Sequence, residues 1–339
     1  GSPSLMAEMR KLVGLKSEGK FELNLRYFTH HTKGVAMTWG SGAPVVGCVY
    51  SKDLENLLGP ARASDEPLTQ RHKDIAASAQ AMYEEAFFHI LNHVHRVTGQ
   101  DSLALAGGCA MNSVANGKIF QNTNFKEVYI QSAAGDAGGA IGAAYSVWHE
   151  SLKMTRRFHM KHAYWGPSFS NDQIRAVIDA VEEKLLAEQC VVEKIENASD
   201  LYVRTAKAIS DGLVIGWFQG RMEWGPRALG NRSILGDPRR VNMKDILNLK
   251  IKRRESFRPF APSILREYVK DWFETDYDVP FMLQVLQIRE EKRAQIPAVT
   301  HVNGSGRLQT VTLDHNERYY GLISAFRDLT GVPILLNTS

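Results

Sequence analysis

Leu103-Ala104-Leu105-Ala106-Gly107-Gly108-Cys109-Ala110-Met111-Asn112 decides the fold class. A short apolar strand runs straight into two glycines, and the residues from Cys109 to Phe120 that follow have helical character. Strand, glycine turn and helix make the repeating unit of α/β proteins. Val128-Tyr129-Ile130 repeats the theme, followed by the loop Ser132 to Gly139 and a small-residue helix predicted from Ala140 to Trp148. Two such units in succession predict an α/β lobe with nucleotide-binding loops at its strand ends.

Upstream, Ile75, Ala76, Ala79, Met82, Tyr83, Ala86, Phe87, Ile90, Leu91 and Val94 recur at three- and four-residue spacing. That period predicts one long amphipathic helix from Thr69 to Thr98, stopped by Gly99. Met6 to about Arg62 mixes short periodic pieces with loops and holds no catalytic motif. Downstream, Met154 to Ser170 is basic, then aromatic and Gly-Pro-containing, the composition of a connector, which puts a domain boundary near residue 160. Beyond it the pattern predicts a helix from Asn171 to about Glu188 capped by Ser170 or Asn171, a strand at Val191–Ile195, a helix at Ser199–Ser210 and a buried strand at Leu213–Phe218. The chain thus reads as two α/β domains, 1–160 and 161–339.

The 339 residues are 44% hydrophobic and 23% charged, which excludes disorder, collagen and coiled-coil rods. No apolar run approaches the roughly 20 residues of a membrane helix, and no secretory signal opens the chain, so the expectation is a cytoplasmic protein that does not engage a membrane. Cys48, Cys109 and Cys190 lie far apart without Cys-x-x-Cys spacing, which encodes neither a disulfide framework nor a thiolate zinc site. A net charge of +4 is too small for a nucleic-acid binder but leaves room for a local cluster that takes a small anion. Both ends read as cut: Gly1-Ser2-Pro3 suits a scar or a native turn, and Leu335-Leu336-Asn337-Thr338-Ser339 reads as a strand running into a loop that does not arrive.

Three stretches can carry chemistry. Around Gly107, Gly108 and Asn112, free backbone N–H groups at a helix start suit a phosphate or ribose, and a purely structural turn satisfies the same pattern. In Ala134-Gly135-Asp136-Ala137-Gly138-Gly139-Ala140-Ile141-Gly142 one carboxylate stands among four glycines, which suits a metal ion or a metal-bound nucleotide; an Asp capping the next helix is the competing reading. His89 and His93 share a helix face four residues apart, but no third ligand accompanies them, and packing is the preferred reading.

The third stretch is the most specific. Gly220-Arg221-Met222-Glu223-Trp224-Gly225-Pro226-Arg227-Ala228-Leu229-Gly230-Asn231-Arg232 packs three arginines and one carboxylate into a glycine-rich loop, and it continues to Lys252-Arg253-Arg254-Glu255-Ser256-Phe257-Arg258-Pro259-Phe260-Ala261-Pro262. Arginine gives planar, bidentate recognition of phosphate and carboxylate, and lysine adds a compact charge. A solvated basic face or a single-stranded nucleic-acid surface are the alternatives; the Gly-Pro rigidity opposes the first and the near-neutral total charge the second. His301-Val302-Asn303-Gly304-Ser305-Gly306-Arg307-Leu308-Gln309 adds an arginine on what reads as a flexible loop able to close over the same anion.

With these motifs in this order, the chain resembles the NodU/CmcH-type carbamoyltransferases over nearly its whole length. The resemblance implies the second lobe of an actin-like, sugar-kinase-type ATPase domain followed by a YrdC-like α/β domain. It implies an ATP-dependent O-carbamoyltransferase that converts carbamoyl phosphate and ATP to carbamoyl adenylate, then carbamoylates a hydroxyl of a sugar, antibiotic or other natural product. Carried over by motif, Arg227, Lys252, Arg258 and Arg307 are the catalytic anion-binding residues. Gly107, Gly108, Asn112, Gly135, Gly138 and Gly139 are the nucleotide-binding residues, and Asp136 is a metal ligand, for Fe2+ or Mg2+. Full-length members have a first lobe with a His-rich metal motif and a segment beyond Asn-Thr-Ser, so the resemblance implies a partly active fragment or, alternatively, a nucleotide- and carbamoyl phosphate-binding scaffold. The implied partner is a small hydroxyl acceptor; a homodimer has no interface argument from sequence.

Overall fold

The computed structural model describes residues 1–40, 43–63, 65–253 and 257–339. They form two compact units, Gly1–Ser102 with Ile119–Glu127, and Leu103–Lys118 with Val128–Ser339. Met160 and Ala163 are buried in one apolar cluster with Ala110, Ile130, Leu229 and Leu283, so a segment whose composition reads as a connector is part of the second unit's core.

The first unit is built on the helix Gln70–Thr98. Thr69 and His72 form a capping box at its start, and Gly99, at φ 63°, ends it by donating its N–H to the His95 carbonyl. Its apolar face, through Ile75 and Met82, packs on Met9 and Leu12 of the helix Met6–Leu12. Strands β1 (Val13–Leu15) and β2 (Phe21–Leu23) pair antiparallel, as do β3 (Met37–Gly40) and β4 (Ala43–Val46).

The deciding motif forms β5 (Ser102–Leu105), which pairs with β6 (Glu127–Ile130). The expected helix from Cys109 to Phe120 is three pieces: a 3-10 turn at Gly108–Met111 and short helices at Ser113–Asn116 and Ile119–Asn122. Two constraints break it. The Asn112 Oδ1 accepts the Ala115 N–H at 3.1 Å, starting a new helix there. Gly117 lies so close to Val285 that a Cβ would stand 1.9 Å from its carbonyl oxygen. After β6, a 3-10 turn at Asp136–Gly138 leads into the helix Gly139–Ser146.

The helix predicted from Asn171 runs in two parts, Asn171–Ala180 and Glu182–Ala187, with Ser170 as its capping-box residue. No strand forms at Val191–Ile195, where Val191 stands in solvent without a sheet to join. The second unit's remaining strands, β7 (Ile215–Phe218), β8 (Arg232–Gly236), β9 (Ala261–Leu265), β10 (Gln284–Gln287), β11 (Ser305–Val311) and β12 (Ile334–Thr338), form one sheet in the spatial order β10-β11-β9-β12-β8-β7. Only β9 and β11 run parallel. The strand expected to be buried at Leu213–Phe218 is the edge strand β7, in which Trp217 alone is buried.

Alternation along the strands gives the sheet two different faces. Leu308 of β11, Ile264 of β9 and Leu336 of β12 face a core that includes Ile209 of the helix Ala198–Ser210 and Leu322, Ile323 and Phe326 of the helix Glu317–Thr330. The other parity carries Arg307 and Gln309 of β11, Ser263 of β9 and Asn337 of β12, with Gln309 opposite Ser263 and Asn337 opposite Ala261. The chain is therefore a mixed α/β protein whose central sheet has an apolar face and a polar one.

Gly230, at φ 105°, lies against the buried Tyr319 ring, where a Cβ would meet ring carbons at 2.2 Å. Gly230→Ala combines a disfavoured backbone with a clash that a fixed ring does not relieve, and is expected to destabilise by roughly 2–4 kcal/mol. Urea unfolding reads this directly, and an unchanged midpoint would contradict the close approach.

A candidate anion-binding site

The loop from β7 to β8 is held at several points by buried groups. Glu223, 5% exposed, accepts on Oε1 the backbone N–H groups of Leu229 at 2.7 Å, Asn231 at 2.8 Å and Arg232 at 3.2 Å. The Leu229 carbonyl accepts from Gln309 Nε2 and the Tyr164 hydroxyl, both at 2.9 Å, and the Ala228 carbonyl from Asn337 Nδ2 at 3.1 Å. Arg227 stands inside this closed loop.

Arg227, Lys252, Arg258 and Arg307 line a single cavity of about 260 Å3. They come from the β7–β8 loop, the residue after the helical turn Ile246–Ile251, the approach to β9, and β11 itself. Arg307 is therefore fixed in a strand, paired in register with Val285, and not carried on a flexible loop. Arg254, Glu255 and Ser256 of the same motif lie outside the described residues. Among the described residues no Asp or Glu lines the cavity. Burial lowers the Arg227 guanidinium pKa from its ordinary value, and its Nε is buried with no hydrogen-bond partner among the described residues. Cations gathered on one cavity are stabilised by an anion that takes their bidentate donors.

Arg221, Arg232 and Arg239 are committed elsewhere. Arg221 donates to the Trp165 and Gly166 carbonyls, and Arg232 donates to the Gln219 and Asn231 carbonyls while its guanidinium lies 3.6 Å from the centroid of the Phe218 ring. Arg239 pairs with the buried Asp237 at 2.7 Å.

Two lining residues were not singled out by sequence. Asn337 is buried, and its Nδ2 is directed at three acceptors, the Ala228 carbonyl, Ser263 Oγ and Gln309 Oε1, which fixes the sense of the amide. Its Oδ1 is buried without a partner among the described residues, an acceptor in a wall of donors. Met282 holds a left-handed φ of 56° with a buried side chain. The only signal for Asn337 was a polar residue ending an apolar strand; Met282 gave none.

The glycine motifs form a second group, none of which lines this cavity. The Gly107 N–H donates to the Ala134 carbonyl at 2.7 Å, bringing the two glycine loops together, and Cβ positions at Gly107, Gly108 and Gly139 meet open space. Gly135 lies in contact range of Met111, and Gly138 is packed against the Ala133 carbonyl, with 2.2 Å left for a Cβ. Asn112 serves as the helix cap described above. Asp136 is exposed, and among the described residues no three His, Cys, Asp or Glu side chains gather as a metal site. His89 is bonded through Nε2 to the Lys16 carbonyl, and Gly19 lies against His93, which places both in packing roles.

An α/β protein with four basic side chains on one small cavity is the class that fold and site define. Family models described as carbamoyltransferase N-terminus and carbamoyltransferase C-terminus match residues 7–145 and 206–339. The uncharacterized protein sll1178 of Synechocystis is 44% identical over 97% of this chain and 54% of its own length. Nodulation protein NolNO of Sinorhizobium fredii is 47% identical over 82% of this chain and 40% of its own, and nodulation protein NolO of Bradyrhizobium diazoefficiens 43% over 83% and 52%. The chain belongs to the carbamoyltransferase family. It spans about half the length of these relatives.

Burial, with the charges of Arg307 and Lys244, pushes the His301 imidazole down to about 4. In the unfolded chain it titrates near 6.5, so as pH falls through 6.5 the unfolded state takes up the proton first and stability is lost, until both states are protonated below about 4. The loss attributable to His301 is roughly 3 kcal/mol. Unfolding measured at pH 7 and pH 4.5 is expected to show a smaller drop in His301→Gln than in the parent; equal drops would contradict the buried neutral imidazole.

Proposed function

We propose that this chain carries the carbamoyl-activating site of an ATP-dependent O-carbamoyltransferase. The observation that supports it is the cavity lined by Arg227, Lys252, Arg258, Arg307 and Asn337, whose buried Oδ1 has no hydrogen-bond partner among the described residues. Carbamoyl phosphate has complementary chemistry, an anionic phosphate for the cations and an NH2 donor for the amide oxygen.

In this reading water cleaves carbamoyl phosphate to carbamate and phosphate. A carbamate oxygen then attacks the α-phosphorus of ATP, the bond to the bridging oxygen breaks with release of pyrophosphate, and carbamoyl adenylate results. A hydroxyl of a sugar or natural product attacks the carbamoyl carbon, loses its proton, and AMP leaves. The fixed guanidinium and ammonium groups stabilise charge that develops on phosphate oxygens, in a pocket where burial strengthens each interaction. Gly107, Gly108 and Gly139, with open space before their backbone, suit the approach of a nucleotide. In the same reading residues 1–160 derive from the second lobe of an actin-like domain and 161–339 from a YrdC-like domain. A metal ion bound with help from Asp136 would supply Lewis-acid polarisation.

A second reading, a nucleotide- and carbamoyl phosphate-binding module without transfer activity, fits the finding that no three His, Cys, Asp or Glu side chains gather as a metal site among the described residues. Calorimetric titration with ATP and carbamoyl phosphate, with pyrophosphate assayed in parallel, separates the two. Binding with release supports the enzyme, binding without release supports the module, and no binding overturns both. Arg227→Ala is expected to weaken carbamoyl phosphate binding by roughly 2–4 kcal/mol, since it removes a partly buried bidentate donor. Asp136→Asn is expected to spare pyrophosphate release while lowering the yield of carbamoylated acceptor; equal loss of both would make Asp136 structural.

A further inference from the structure

We propose that Glu223 is the positioning residue for Arg227, acting through the backbone of the loop and not through a salt bridge. A carboxylate among arginines ordinarily pairs with one of them, which here would neutralise a donor the cavity needs. Instead Oε1 of Glu223 is given to three backbone N–H groups, those of Leu229, Asn231 and Arg232. Such charge-assisted bonds are short and strong, and in a buried setting they define position closely.

The result is a clamp on both sides of Gly225-Pro226-Arg227. On the N-terminal side Glu223 leads directly into Trp224, whose N–H donates to the Ala163 carbonyl at 2.6 Å and whose carbonyl accepts from Ser132 Oγ at 2.9 Å. On the C-terminal side the same Glu223 oxygen holds Leu229, while Ala228 and Leu229 give their carbonyls to Asn337, Gln309 and Tyr164. Between the clamps Pro226 limits φ, so Arg227 has little backbone freedom left. Glu223 touches no ligand; it sets where the guanidinium of Arg227 begins.

The inference rests on the cavity being the carbamoyl phosphate site, and a double-mutant cycle separates the two claims. The measurement is the dissociation constant of carbamoyl phosphate for the parent chain, Glu223→Ala, Arg227→Ala and the double variant, with unfolding midpoints alongside. Glu223→Ala is expected to weaken binding about tenfold to a hundredfold, as loosened geometry does. In the Arg227→Ala background the same change is expected to cost nothing further. Glu223→Gln keeps a carbonyl acceptor for the three N–H groups and recovers most of the affinity. A role confined to stability lowers the unfolding midpoint yet leaves the two losses multiplying, and that outcome overturns the proposal, as does parental affinity in Glu223→Ala. If Glu223→Ala does not fold, Glu223→Asp takes its place in the cycle: its carboxylate falls short by one methylene, and parental affinity there overturns the proposal equally. A parent that binds no carbamoyl phosphate, or an Arg227→Ala variant that binds it unchanged, overturns the site itself and the proposal with it.

Discussion

Four side-chain cations line one cavity of about 260 Å3, and like charges held this close repel one another. Such a group stays together only if each member is anchored by something other than its neighbours. The polar face of the central sheet supplies part of that anchorage. Ser263, Gln309 and Asn337, from three adjacent strands, are bonded to each other and to the backbone of the loop that carries Arg227. Arg307 shares their strand face, and the apolar opposite face fixes the strands themselves.

Buried polar side chains are costly unless they are satisfied, and this layer is satisfied almost throughout. Two exceptions belong to residues that line the cavity. Arg227 Nε and Asn337 Oδ1 are buried with no partner among the described residues, one a donor and the other an acceptor. That pairing matches a ligand that carries both an anionic and an N–H-bearing end. Met282, held in the left-handed region beside them, adds a local cost that the surrounding contacts must offset.

Much of this was legible in the sequence, and the reason is local chemistry. The basic stretches stand out because arginine and lysine embedded in glycine, proline and aromatic residues do not resemble a solvated face, and the choice of Arg227, Lys252, Arg258 and Arg307 within them came from the family resemblance. Gly99 and Ser170 announced helix ends because their roles depend only on neighbouring residues. What depends on distant partners was hidden. The sense of the Asn337 amide is set by Ser263 and Gln309, which lie 74 and 28 residues away. The role of the Glu223 carboxylate was hidden because its three N–H donors are backbone groups, which leave no mark in a sequence. Val191–Ile195 had strand composition but pairs with no strand among the described residues, and Met154 to Ser170 read as a connector because Met160 and Ala163 find their apolar neighbours far away in the chain.

The position of β12 bears on how the molecule is made. It lies between β8 and β9, pairing antiparallel with both, although both precede it in the chain by many residues. During synthesis β8 and β9 emerge with facing edges that have nothing to bind, and they do not become parts of one sheet until the segment Ile334–Thr338 is available to bridge them. Long-range closure of this kind is slow and leaves strand edges exposed while it waits. The strand that joins the two edges also brings Asn337, so the wall of the cavity is complete only once Ile334–Thr338 is in place.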